Sequence, residues 1–99
     1  MQNKITTSFP LGVLLITQGA LHIMTREEIA SVISRHKNCD WGDLDDEDKQ
    51  RNEQALQDGS RLFSAYNLPG KEKIWVITEA VSEDDLTRLS TTILLPSEY

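Results

Sequence analysis

Between Pro10 and Gly19 the chain reads Leu11-Gly12-Val13-Leu14-Leu15-Ile16-Thr17, and its β-branched, leucine-rich part from Val13 predicts a buried strand. Ala20 to Met24 allows one helical turn. The next start signal is stronger. Thr25 followed by Glu28 forms a capping box, and Met24 ahead of it can staple onto Ile29. Ile29, Val32 and Ile33 then share one helical face, and Arg35, His36 and Lys37 bring cationic types to the negative end of the helix dipole.

Trp41-Gly42 breaks the pattern, and Asp43 or Asp45 can cap a second helix that runs to about Gln57 and stops at Gly59. Its apolar stripe is thin, with Leu44, Ala55 and Leu56 on a face that also carries Asp48, Arg51 and Asn52. From Arg61 the period changes to two. Leu62, Ser64, Tyr66 and Leu68 alternate with Phe63, Ala65 and Asn67, Pro69-Gly70 turns, and Ile74, Val76 and Thr78 alternate with Trp75, Ile77 and Glu79. Ser82 with Asp85 predicts a short third helix burying Leu86 and Leu89, and Thr91 to Leu95 predicts a last strand ended by Pro96.

This order of elements predicts a single α+β domain over residues 1–99: a small antiparallel sheet of three to four strands with two to three helices on one face. The expected core is Ile29, Val32, Ile33, Leu62, Val76, Ile77, Ile93 and Leu95. No internal repeat or low-complexity linker divides the chain.

Charge changes the picture in one place. The 99 residues carry a formal net charge of −6, and Asp40, Asp43, Asp45, Asp46, Glu47 and Asp48 fall together with no cation among them. The remainder is neutral. A pI near 4.7 argues against direct binding of nucleic acid, whose phosphates favour a basic stripe, and favours a basic protein surface as partner. Cys39 is the single cysteine, which suits a reducing, cytoplasmic setting without disulfides. The apolar run near the start is too short to span a membrane, so no membrane partner is expected, and the oligomeric state stays open.

Several strings carry a resemblance. Trp41-Gly42-Asp43-Leu44 with its acidic helix, Arg61 to Tyr66, Ile74 to Ala80 and the closing Thr91 to Tyr99 resemble a family of short bacterial reading frames described as plasmid-related proteins. It covers about Leu11 to Tyr99 and departs from the family pattern between Val81 and Ser90. Some members are labelled a modification subunit of a type I restriction enzyme. This chain holds no methyltransferase motif and has no length for that domain, so the label does not carry over. The resemblance implies a setting on mobile DNA and assigns no catalytic residue.

Candidate chemistry is sparse. His22, His36, Cys39 and Asp40 are metal-ligand types without the paired spacing of a zinc site, and a calcium loop begun at Asp43 would need glycine where Asp48 stands and glutamate where Gln54 stands. No metal or cofactor is therefore expected. Cys39 with His36, or Ser64 with a histidine and an acid, could be paired for nucleophilic catalysis, yet no nucleophile elbow or phosphate loop accompanies them. Arg61, Trp75, Glu79, Arg88, Thr91 and Tyr99 mix aromatic and charged types as binding surfaces do. The competing reading makes Trp75 and Tyr66 core anchors and pairs Glu79 with Arg61 or Lys73 across the sheet. The sequence thus points to a non-enzymatic interaction module whose contact residues are Asp40, Trp41, Asp43, Asp45, Asp46, Glu47 and Asp48. The alternative is an acidic mimic of nucleic acid that blocks a DNA-processing or host-defence protein.

Overall fold

The computed structural model describes residues 9–83 and 87–99. The elements in order are β1 (Val13–Ile16), α1 (Gln18–Ile23), α2 (Arg26–Lys37), α3 (Asp46–Asp58), β2 (Leu62–Asn67), β3 (Lys73–Thr78), β4 (Ser90–Leu94) and one 3-10 turn, Pro96–Glu98. The fold is α+β. Local chemistry sets the helix limits as the sequence predicts. Thr25 and Glu28 close both halves of the capping box on α2, at 3.1 and 2.9 Å. Asp45 caps α3 through the Asp48 amide, and Gly59, in the left-handed region, ends it.

The sheet order is β1-β4-β3-β2. β2, β3 and β4 are antiparallel neighbours, whereas β1 lies parallel to β4, so the sheet is mixed and not wholly antiparallel. Parallel neighbours need a long crossover, and here the helices and the β2–β3 hairpin lie between the two strands in the chain. The position of β1 also differs from the sequence reading. It is an edge strand, and Val13, Leu14 and Leu15 are 62%, 49% and 49% exposed where a buried strand was expected. The short helix expected after Ser82 runs through residues outside the described set. On either side of them Val81 bridges Arg88, and the Ser82 amide donates to the Thr87 carbonyl.

Alternation along the strands divides the sheet into two faces. Tyr66, Ile74, Val76 and Ile93 point to the helices and pack with Ala20 and Met24 beneath α1 and with Val32 of α2. A second cluster, Phe9, Trp41, Ala55 and Leu62, lies under α3 with Leu44 and Leu56 at its margin. Of the expected core, Val32, Leu62, Val76, Ile77, Ile93 and Leu95 are buried, while Ile29 and Ile33 are half-buried at the cluster's edge. Ile77 is buried on the face opposite the helices, where it lines a groove.

These depths separate two isoleucines. Ile74 is fully enclosed, so Ile74→Ala leaves a cavity and costs about 2–5 kcal/mol in urea unfolding. Ile33→Ala removes atoms whose space solvent partly fills, and its loss is smaller. Equal losses for the two variants would contradict the helix–sheet packing described above.

Candidate binding surface and the buried histidine chain

The sheet face opposite the helices carries a groove of about 320 Å³ lined by Arg61, Leu62, Phe63, Trp75, Ile77 and Tyr99. Its walls are aromatic. Phe63 and Trp75, paired in adjacent strands, meet edge-to-face at 5.0 Å between ring centres, and Trp75 meets Tyr99 in the same manner at 5.8 Å. Arg61 donates to the Tyr99 hydroxyl at 3.2 Å, stacks over that ring, and pairs with Glu79 at 3.6 Å. Glu98 holds this end of the chain in place. Its carboxylate accepts from the Thr17 hydroxyl and from the Gly19 and Leu95 amides, contacts that hold its pKa below the usual carboxylate range, led by Thr17. The 3-10 turn is thereby tied to α1 while Tyr99, 71% exposed, stands beside the groove.

The aromatic and charged set read from the sequence divides in two. Arg61, Trp75, Glu79 and Tyr99 come together on the open face, and Glu79 pairs with Arg61 across the sheet. Arg88 and Thr91 are interior. The Arg88 guanidinium donates to the Ser60, Glu79 and Ala55 carbonyls, at 2.6, 3.1 and 3.1 Å. Ala55 and its neighbours end α3, whose last turn contains no basic residue of its own, so Arg88 places the missing cation against the negative end of that helix. Tyr66 is a core anchor, and its hydroxyl donates to the Asp40 carbonyl at 2.6 Å.

The acidic segment is also not uniform. Asp40 forms an ion pair with Arg35 at 2.7 Å and accepts from the Gly42 amide; the Arg35 contact chiefly holds its carboxyl below the ordinary range. Asp43 accepts from the Asn67 amide, and Asp45 caps α3. Trp41 corrects the sequence reading: it is 4% exposed, packs against Phe9 and His36, and donates its indole N–H to Glu53, so it belongs to the core and not to a contact surface. Asp46, Glu47 and Asp48 remain in the first turn of α3 with Glu47 facing Arg51, a pair open to solvent.

This segment has a second use, which no sequence pattern signalled. β2 is an outer strand, and its outward backbone groups are occupied one after another. The Asn52 amide exchanges both of its hydrogen bonds with the Phe63 backbone, Trp41 and Asp43 bracket Ala65, and the Asp43 carboxylate accepts from Asn67. The acidic helix start therefore seals a sheet edge as well as carrying charge.

The structure brings Ser64 to His36, one of the pairings considered for nucleophilic catalysis, but without an acid. His36 is fully buried, with Nδ1 at 2.5 Å from Ser64 Oγ and Nε2 at 2.9 Å from Thr78 Oγ1. Thr78 Oγ1 lies 2.7 Å from Thr91 Oγ1, and the Thr91 hydroxyl donates to the Leu11 carbonyl at 2.7 Å. A carbonyl can only accept, so that last bond fixes the direction of the chain. Thr78 donates to Thr91, His36 donates from Nε2 to Thr78, and Ser64 donates to the unprotonated Nδ1. Cys39, the other nucleophile considered, has its thiol pushed up by burial, away from the reactive thiolate.

No group of His, Cys, Asp and Glu side chains suited to hold a metal ion occurs among the described residues, and no helix among them is long and apolar enough to cross a membrane. No family model, curated protein or solved structure matches this chain.

Burial first, and the charge of Arg88 second, lower the His36 pKa from 6.5 to about 4. The unfolded chain therefore takes up this proton near pH 6.5 and the folded one near pH 4, so the contribution is whole above 6.5 and is lost as pH falls through that interval. Glu28, Asp40, Asp58 and Glu98 are shifted downward from ordinary values of 4.5 or less and lose their contributions at lower pH. Urea unfolding should give a stability about 2 kcal/mol lower at pH 5 than at pH 7. In His36→Gln that slope should disappear. A parent midpoint that does not move over this range would mean that His36 is not held neutral by the fold.

Proposed function

We propose that this chain is a small non-enzymatic protein-interaction module of the cytoplasm. It binds a basic segment of another protein and seats an apolar or aromatic side chain of that segment in the groove of the open sheet face. The observation that carries the reading is the aromatic groove itself, since Phe63, Trp75 and Tyr99 present rigid rings on a face that none of the described α-helices covers. Charge complementarity selects the partner's chemistry. The chain is acidic overall, and Asp46 and Glu47 are exposed, with Asp48 half-buried, on the helix that borders β2, the strand that contributes Phe63.

Two other classes have less support. A mimic of nucleic acid needs its carboxylates free and evenly spread, whereas Asp40, Asp43 and Asp45 are engaged in an ion pair, a strand-edge contact and a helix cap. Catalysis through Ser64 and His36 lacks both an acid partner and solvent access. The resemblance to plasmid-related proteins adds the setting of mobile DNA.

The test uses an array of Lys- and Arg-rich peptides that each carry one Leu, Phe or Trp. Trp75 serves as the internal probe, because the other tryptophan, Trp41, is buried and contributes a constant background. A bound peptide should shift Trp75 emission, and Trp75→Ala should weaken binding by about tenfold or more. Changing Asp46 and Asp48 to Asn together with Glu47 to Gln should reduce the salt dependence and leave the Asp45 cap intact. Equal binding by the parent and Trp75→Ala would overturn the groove as the contact site.

A further inference from the structure

The two outer strands of the sheet are treated in opposite ways. β2 is sealed by Asn52, Trp41 and Asp43, as described above. β1 has no described strand on its outer side, and it concentrates exposed apolar side chains. Val13, Leu14 and Leu15 belong to it, Leu89 accepts from the Val13 amide beside it, and Leu21 follows in α1; of the large exposed apolar side chains among the described residues only Tyr99 lies elsewhere. An exposed apolar edge without charge is a template for strand pairing, and natural sheets normally block it with lysine, proline or a bulge. Here none of these devices is present between Val13 and Ile16.

We propose that β1 pairs with β1 of a second copy of this chain, antiparallel about a two-fold axis, which joins two four-stranded sheets into one continuous sheet. Charge selects this occupant. From Ile5 to Thr25 the sequence contains no Asp, Glu, Lys or Arg, in a chain of which 26% is charged and whose net charge is −6. A basic partner would find beside this edge, among the described residues, the Glu98 carboxylate, which is already engaged by the Thr17 hydroxyl and the Gly19 and Leu95 amides. Two acidic copies, conversely, can approach each other here without setting carboxylates face to face, and an edge of leucine and valine is complementary to itself.

The backbone fixes the register. The Val13 and Thr17 amides donate to the Leu89 and Ile93 carbonyls of β4, so by alternation the N–H and C=O of Leu14 and Ile16 point outward. Gly12, at φ 69°, is not extended and cannot continue the ladder. The pairing that uses only extended residues sets Leu14 against Ile16 of the second copy, and the reverse, with about four hydrogen bonds, while the two Leu15 residues face each other at the axis. Because that axis stands perpendicular to the sheet, both helix layers fall on one side and both aromatic grooves on the other.

Sedimentation equilibrium and light scattering on the full chain at high micromolar concentration test the proposal. The expected species has twice the 11.2 kDa of one chain. Leu15→Lys sets two ammonium groups against each other at the axis and should weaken dimerisation by at least about tenfold. Leu14→Pro removes an outward N–H that β4 does not use, a change edge strands tolerate, and should have the same effect while circular dichroism remains that of the parent. The combined change of Asp46, Glu47 and Asp48 to their amides should leave the dimer intact, which separates this interface from the peptide contact. A parent that stays at 11.2 kDa overturns the proposal, as does a dimer that survives Leu15→Lys.

Discussion

One polar thread ties the layers of this fold together. It starts at Ser64 in β2, passes through the His36 ring on α2 to Thr78 in β3 and Thr91 in β4, and ends at the Leu11 carbonyl ahead of β1. Ser64, His36, Thr78 and Thr91 lie where water cannot replace a lost partner, and a buried polar group left unpaired costs about 1–3 kcal/mol. Every donor in the thread meets an acceptor, and the direction is set by the one group that cannot donate. This removes alternatives. α2 can sit over the sheet only in the register that brings His36 between β2 and β3, and the entering chain must place Leu11 above Thr91. Hydrophobic contacts alone, which lack direction, would tolerate small slips that this thread does not.

The same requirement to satisfy buried or edge backbone groups explains why the acidic segment looks as it does. Asn52, Trp41 and Asp43 close the β2 edge, and Asp40 and Asp45 fix the turn and the helix start that deliver them. Half of the segment's carboxylates are thus structural. The negative end of α3 meets a similar solution from a distance, since Arg88 places its guanidinium against Ala55 and two further carbonyls, with the charge of Asp58 favouring the cation there. Burial lowers the affinity of that guanidinium for its proton, but three accepting oxygens keep the cation in place.

Much of the fold was legible in sequence because it rests on local signals. The capping box at Thr25, the Asp45 cap, the stop at Gly59, the hairpin around Pro69-Gly70 and the Arg61–Glu79 pair each depend on residues close together or on simple alternation. What failed to show was non-local. A continuous apolar run such as Val13–Ile16 reads as buried, since nothing in the run itself says whether a neighbour lies on one side or two. Trp41 sits among acids and reads as surface, yet β2 and α3 close over it. His36 did carry a usable signal: it falls seven residues after Ile29, on the face already marked by Val32 and Ile33, and its ring was therefore directed inward. Ser64 could be paired with a histidine from residue type alone, whereas the threonine partners Thr78 and Thr91 follow only from the strand register.

The candidate surface follows from what the helices leave uncovered. Three helices over one face of a four-stranded sheet bury Tyr66, Ile74, Val76 and Ile93, but the strands must point every second residue the other way. A protein that needed only stability could make those positions polar. This chain puts Phe63, Trp75, Ile77 and Leu94 there, half-covers them with a turn held by Glu98, and sets the Arg61–Glu79 pair at the rim. Apolar side chains retained on a half-open face lose part of the burial energy they could have contributed, and rings fixed by edge-to-face contacts lose little entropy when a ligand arrives. Rigid aromatic walls with a polar rim are the arrangement in which one seated side chain yields the largest binding energy, and it is on this uncovered face, not in the sealed histidine chain, that the fold has chemistry to spare.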